Sequence, residues 1–178
     1  MNEAHTKKND KEKNFLEMLV SVLPWNEART DAQLVRRLVF IEEQQIPESL
    51  ELDEAGDSQC WHAIARDGNE PVGTGRLFPD GHVGRMAVVK SHRSKGVGGL
   101  ILNALIARAR EQKIQFVRLG AQVSAEKFYL GHKFVREGDP YVHPQVPIEH
   151  VSKAKETSEC LLKKSIGRHG SASGKRLS

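Results

Sequence analysis

Residues 81–99, GHVGRMAVVKSHRSKGVGG, constrain the fold of this 178-residue chain more than any other stretch, because a strand, a basic glycine-rich loop and a helix start follow one another without a break. Val83, Met86, Ala87, Val88 and Val89 form an apolar run bounded by Gly81 and by Lys90-Ser91-His92, which predicts a buried strand of about nine residues. From Gly98 to Gln112, Leu100, Ile101, Leu102, Ala104, Leu105, Ile106, Ala107 and Ala109 recur at helical spacing, and the end of the segment turns polar. Between the two lies Arg93-Ser94-Lys95-Gly96-Val97-Gly98-Gly99. Its glycines permit positive φ and leave no Cβ in the way of an approaching oxygen, so successive N–H groups can converge on one anion. The free N–H groups and positive dipole end of the helix reinforce that pocket, and Arg93 and Lys95 add charge.

Two common phosphate motifs are absent. Gly68 to Gly75 lacks the lysine and hydroxyl pair of a P-loop, and Gly96-Val97-Gly98-Gly99-Leu100-Ile101 lacks the third glycine and the later acidic residue of a dinucleotide fingerprint. What remains is R-x-x-G-x-G at a strand-to-helix junction, which resembles the acetyl-coenzyme A loop of the GNAT superfamily of N-acetyltransferases. The next step agrees. Gln115 to Ala121 alternates as a strand, and Ser124 to Leu130 predicts a short helix capped by Ser124. The superfamily typically reads N-x-x-A, then F-Y and G-F; here the chain has Gln122-Val123-Ser124-Ala125, Phe128-Tyr129 and Lys133-Phe134, with Gln122 in the asparagine position and Lys133 in that of the glycine. Val39 to Pro47 and Glu51-Leu52-Asp53 resemble the acidic, amide-rich end of the first helix in a small bacterial GNAT subgroup, and Pro147 to Val151 is similar to its final strand. The resemblance covers about residues 15–152.

It implies acetyl-coenzyme A as co-substrate and no metal. The phosphates fall to Arg93, Ser94, Lys95, Gly96, Val97, Gly98 and Gly99. The long arm falls to the main chain of Met86 and Val88, with Gln122 reaching from the facing strand. The acceptor side falls to Glu43 and Gln44. Transfer to a primary amine needs a base, for which His82 on the strand before the loop is the best match, and Glu42, Glu43 and Asp53 are alternatives; an unperturbed histidine titrates near about 6.5. Tyr129 matches the family's phenolic acid for the departing thiolate, the alternative being an aromatic packed with Phe128 and Phe134. Neither cysteine has a basic or helix-start environment, so direct transfer in a ternary complex is expected rather than a covalent enzyme intermediate. A coenzyme A-binding module without catalysis is the rival reading. The acceptor is open among small amines, antibiotics, amino-termini and lysine side chains.

The length predicts one domain. Three antiparallel strands followed by helix, strand, helix and strand predict an α+β, three-layer α/β/α fold with a central mixed, mostly antiparallel sheet. Its parts are a strand over Glu17–Leu23, a helix over Asp31–Gln44 capped by Thr30 or Asp31, strands over Gln59–Arg66 and Glu70–Phe78 around Asp67-Gly68-Asn69, and a final strand near Glu149–Val151. Residues 1–14 are expected to be a flexible segment and 153–178 a disordered basic tail: residues 152–178 hold seven Lys or Arg against two Glu, so the net +4 leaves −1 for the remainder. No specific nucleic acid is therefore expected as a partner, and no membrane; a homodimer is compatible with the pattern. Neither a secretory signal nor an apolar run of spanning length is read. Cys60 and Cys160, far apart, suit the cytoplasm, and histidines 62, 82, 132, 143 and 150 have no metal-ligand spacing.

Overall fold

The computed structural model describes residues 18–143 and 146–157. The N-terminal segment 1–17 and residues 158–178, which carry Cys160 and most of the basic tail, lie outside the described residues.

Strand β1 (Met18–Pro24) runs directly into helix α1 (Trp25–Arg36), which continues as wider π-helical turns over Arg37–Glu43. The helix thus begins six residues before the expected Asp31. Pro24, at φ −69° and ψ 163°, ends the strand in an extended conformation and needs no N–H at the junction. The buried stripe Trp25, Ala28, Ala32 and Val35 decides the start, and Asp31 forms an ion pair with Arg66 instead of capping. Two single-turn helices, α2 (Glu48–Glu51) and α3 (Glu54–Asp57), lead to the antiparallel strands β2 (Trp61–Asp67), β3 (Glu70–Leu77) and β4 (Val83–Val88). A short 3₁₀ turn, Lys90–His92, and the basic loop then open helix α4 (Val97–Glu111). Strand β5 (Phe116–Gln122), a 3₁₀ turn (Val123–Ala125), helix α5 (Glu126–Gly131) and strands β6 (Val135–His143) and β7 (Val146–Glu156) complete the chain. Ser124 lies inside the 3₁₀ turn and caps nothing; Ala125 holds the cap position without a side-chain bond. Lys133, which stands where the resemblance places a glycine, takes the left-handed conformation at φ 64°.

The strands form two antiparallel sheets, β1-β2-β3-β4 and β5-β7-β6. Helix α4 buries Val97, Ile101, Leu102, Leu105 and Ala109 on one face against Ala63, Ala65, Val72 and Leu77, while α1 covers the other face at Ile64 and Ala87. Three layers result, as expected for a GNAT-like α+β fold. The expected domain boundary at 152 falls inside β7, which lies between β5 and β6. Lys153 is fully buried with its Nζ 3.0 Å from Glu126 Oε1, and the Thr157 N–H donates to the Gln115 carbonyl at 2.9 Å, so these residues belong to the sheet rather than to a tail. Arg136 and Lys153 together pull the Glu126 carboxyl down to about 2.

Candidate active site

The two sheets meet at one point. Strands β4 and β5 run parallel, but only His82 and Arg118 bridge them, with the Arg118 N–H donating to the Gly81 carbonyl at 3.0 Å. Gly81 makes that approach possible: it sits at φ 90°, and a Cβ there would collide with the Phe116 carbonyl. Beyond this contact the strands separate. The gap leaves unpaired strand edges facing a cleft of about 770 Å³, within the range of small-molecule sites.

Strand β4 is also bulged. Thr74 pairs with Ala87 and Arg76 with Gly84, so Arg85 and Met86 stand opposite the single Gly75, and Arg85 has φ 51°. Such an extra residue redirects side chains, and here both Arg85 and Met86 line the cleft. Val88 follows on the same wall.

At the end of that wall the chain turns into the basic loop. Arg93 lines the cleft; its Nε donates to the Val88 carbonyl at 2.9 Å, and its two Nη atoms donate to the two Glu43 carboxylate oxygens at 2.6 Å each. The fork holds the Glu43 carboxyl below its ordinary range. Ser94, Lys95 and Gly96 are exposed, and Gly96 precedes α4 in the left-handed conformation, φ 85°, with nothing within 4 Å of the place a Cβ would take. The N–H groups of Val97, Gly98 and Gly99 come at the start of α4, where a helix offers no internal acceptor. An anion therefore has an open, donor-rich approach. Gly98 and Gly99 also serve packing: a Cβ on Gly98 would lie 3.4 Å from the Phe128 ring, and one on Gly99 3.0 Å from His132 Nε2.

The expected chemical residues come to one cleft from the turn before β4 and from helix α5. His82 and Tyr129 line the same cleft. His82 is itself exposed at this end of the cleft; the desolvation it does feel lowers its pKa, aided by Arg76 and opposed by Asp80, which favours the uncharged ring. Tyr129 is 7% exposed, with its ring edge-on to Phe128 and Phe134 at 4.9 and 5.9 Å, and burial pushes its phenol up to about 12. Gln122 Nε2 donates to Gln44 Oε1 at 3.0 Å, so the amide expected on the cofactor side and the amide expected on the acceptor side meet at the cleft.

The acidic candidates are placed elsewhere. None of Glu42, Glu43 and Asp53 lines the cleft. Glu42 is exposed and Glu43 is held by Arg93. Asp53 caps α3 through the Gly56 N–H at 3.1 Å and pairs with Arg76 at 3.0 Å. Burial alone would raise its pKa, but those two partners outweigh it and the net direction is down. Cys60 is buried, with its Sγ donating to the Gly56 carbonyl at 3.2 Å and its thiol pushed up to about 11 by burial, which suits a packed side chain and not a nucleophile.

A group that sequence reasoning missed lies under the cleft. Arg36 donates through Nε to Glu51 and through Nη1 to Asp57 Oδ2 at 2.8 Å. Arg76 Nη1 donates to Asp57 Oδ1 at 2.7 Å, and Arg85 Nε is 3.2 Å from Glu51 Oε2. The one sequence signal was Arg85, which interrupts the run Val83 to Val89 otherwise read as apolar.

Residues 28–153 match the family described as acetyltransferase (GNAT) domain. The Bacillus subtilis protein named uncharacterized N-acetyltransferase YjcF is 41% identical over 107 residues, spanning 58% of this chain and 76% of that protein. The crystal structure of a Lactobacillus plantarum protein classed provisionally as an N-acetyltransferase superposes with a TM-score of 0.71 at 25% identity, over 79% of this chain and 99% of that one. Escherichia coli ElaA, at 22% identity and covering 78% and 99% of the two chains, shares the fold with a TM-score of 0.69.

Proposed function

Because the chain belongs to the GNAT acetyltransferases, a family of enzymes that carry out acyl-coenzyme A-dependent acyl transfer, we propose that it moves an acetyl group from acetyl-coenzyme A directly to a primary amine, both held at once in the cleft. The observation that supports this reading is the meeting of a histidine and a buried phenol around one gap between splayed strands, with Arg93 on the same wall leading into the start of α4. The residues present fit the cofactor: an open left-handed glycine and helix-start N–H groups for its phosphates, and the separated edge of β4 for its amide-bearing arm. Ser94, Lys95, Gly96, Val97, Gly98 and Gly99 would hold the phosphates with Arg93, and the main chain at Met86 and Val88, with Gln122, would hold the arm. When bound, the cofactor supplies an acetyl group activated as a thioester.

The protein supplies the proton handling and the positioning. His82 accepts the proton that the amine must lose to attack. Tyr129 holds a proton at its phenolic oxygen for the departing sulfur. Gln44 and Gln122 set the width of the passage between the two substrates, and holding both together removes much of the entropic barrier. The sparse use of cysteine, with no C-x-x-C pair, favours a cytoplasmic setting.

Thermal unfolding and thiol release test the proposal. Acetyl-coenzyme A at about 100 times its Kd is expected to raise Tm by roughly 5 °C or more. Gly96→Val should remove most of that rise, because φ 85° is a conformation that a β-branched residue resists. Release of free thiol in the presence of amines distinguishes an enzyme from a binding module; a Tm rise with no thiol from any amine would leave only the latter.

A pH profile tests the base. With its pKa lowered, His82 is expected to place an acid limb in kcat/KM below about pH 6.5, the rate falling as the ring gains a proton. Comparing the wild type with His82→Gln over pH 5 to 9, using one acceptor, cancels the acceptor's own ionisation. A limb identical in both proteins would remove His82 from the reaction.

A further inference from the structure

Three arginines and three carboxylates alternate through the protein below the cleft, in the order Arg85, Glu51, Arg36, Asp57, Arg76, Asp53. The interior members are sealed: the side chains of Glu51, Arg36 and Asp57 are only 3–4% exposed. The two ends differ. The negative end, Asp53, is 39% exposed outside the cleft, whereas the positive end, Arg85, is 29% exposed and lines it. The network is neutral in sum, but it presents a cation inward.

The carboxylate that partners this cation is shared with a second arginine. Among the described residues Glu51 is the one acidic residue lining the cleft, and both of its oxygens are taken, one by Arg36 and the other by Arg85. Arg85 has donors in reserve. Of its five N–H bonds, one on Nη2 reaches the Leu50 carbonyl at 3.0 Å, and the Nε–H, close to Glu51, is not aligned for a hydrogen bond. The left-handed bulge at φ 51° turns this side chain to the cleft, and the Leu50 contact fixes its direction. Arg76, whose Nε also lacks an acceptor, touches the cleft too but is 7% exposed and held by Asp57 and Asp53; it lies beside Gly84, where a Cβ would be 3.8 Å from that nitrogen and 3.9 Å from His82 Cδ2. The missing side chain at Gly84 keeps the space between the candidate base and the arginines clear.

We propose that the acceptor is a small amine that carries an anionic oxygen acid, a carboxylate or a phosphate, and that Arg85 binds this anion and so extends the alternation of charge by one member. The inference rests on the acetyl-transfer reading and adds a substrate class to it. Arg85 is the specificity-determining residue: its fork takes the anion of the acceptor, which leaves the amine end for His82. A cationic acceptor without an anion would meet the same guanidinium and be repelled.

Matched pairs of probes test this on the full chain saturated with coenzyme A: β-alanine against β-alaninamide for the carboxylate, and O-phosphoethanolamine against ethanolamine for the phosphate. Isothermal titration calorimetry is expected to show about ten-fold to hundred-fold tighter binding of the anionic member in at least one pair, the usual worth of a hydrogen-bonded charge contact. Which pair shows it identifies the oxygen acid. In Arg85→Gln that ratio is expected to fall to near one. Arg85→Lys keeps the charge without the fork and should narrow the preference several-fold, which keeps the question answerable should the glutamine variant fail to fold. Equal binding within both pairs, or a preference that survives unchanged in the variants, overturns the proposal. Thiol release from acetyl-coenzyme A with the same amines separates the two readings. A pair preference without turnover keeps the anion site and removes the transferase mechanism; turnover without a pair preference does the reverse.

Discussion

Tyr129→Phe is expected to lower kcat by about a hundred-fold or more while leaving the acetyl-coenzyme A-induced rise in Tm unchanged, the loss typical of removing a positioned acid. The substitution deletes one oxygen and keeps the ring. That ring is wedged edge-on between Phe128 and Phe134, at centroid distances of 4.9 and 5.9 Å, so the packing of α5 against the sheet survives the change. What is lost is a proton donor that burial holds in its neutral form: with its pKa pushed up to about 12, the phenol keeps its proton throughout the neutral range. Its role is to place that proton at the sulfur as the carbon–sulfur bond breaks, when negative charge develops there. The same value means that Tyr129 contributes no alkaline limb to the rate below about pH 11. Steady-state kcat and KM, together with thermal unfolding in the presence and absence of the cofactor, check all three points. An unchanged kcat would assign Tyr129 to packing alone.

How far these residues could be read without coordinates depended on whether their signal is local. The strand, loop and helix over 83–111 follow from neighbours in sequence, an apolar run, three glycines and a helical period, and the structure reproduces their order, with the helix within a residue and the strand six residues long rather than about nine. Helix α1 was placed six residues late because Thr30 and Asp31 look like caps. Tertiary contact overrode that preference: Asp31 is taken by Arg66, and Trp25 and Ala28 fill the space over Ile64. Strand β7 was cut short for a similar reason. Lys153 and Lys155 resemble the solvated charges that follow them, yet the alternation of β7 turns Lys153 to the covered face of the sheet, where it finds Glu126. The ionic chain was beyond reach altogether, since Arg36 and Glu51 are 15 residues apart and Arg76 and Asp57 are 19 apart. Nothing in a run of charges reveals that four of its members are buried under a cleft.

Asp57→Ala is expected to cost about 3–5 kcal/mol of stability, the loss seen when one partner of a buried ion pair is removed, and roughly 6 to 20 °C in Tm for a chain of this size. The reason is location. Asp57 is 2% exposed and its carboxylate takes Arg36 at 2.8 Å and Arg76 at 2.7 Å, so its removal leaves two guanidinium groups sharing Glu51 and the half-exposed Asp53. Asp53→Ala provides the contrast. It removes a helix cap and an exposed-end ion pair, for which about 1 kcal/mol is expected. Denaturant unfolding of the two variants measures the difference directly. A small loss at Asp57, comparable with that at Asp53, would mean that water reaches the arginines and that the network is not sealed. The outcome also bears on the cleft, because the order of charges that ends at Arg85 depends on Asp57 keeping Arg36 and Arg76 apart. A sealed network fixes that order whether or not substrate is present, and so gives the acceptor a cation already in position when it arrives.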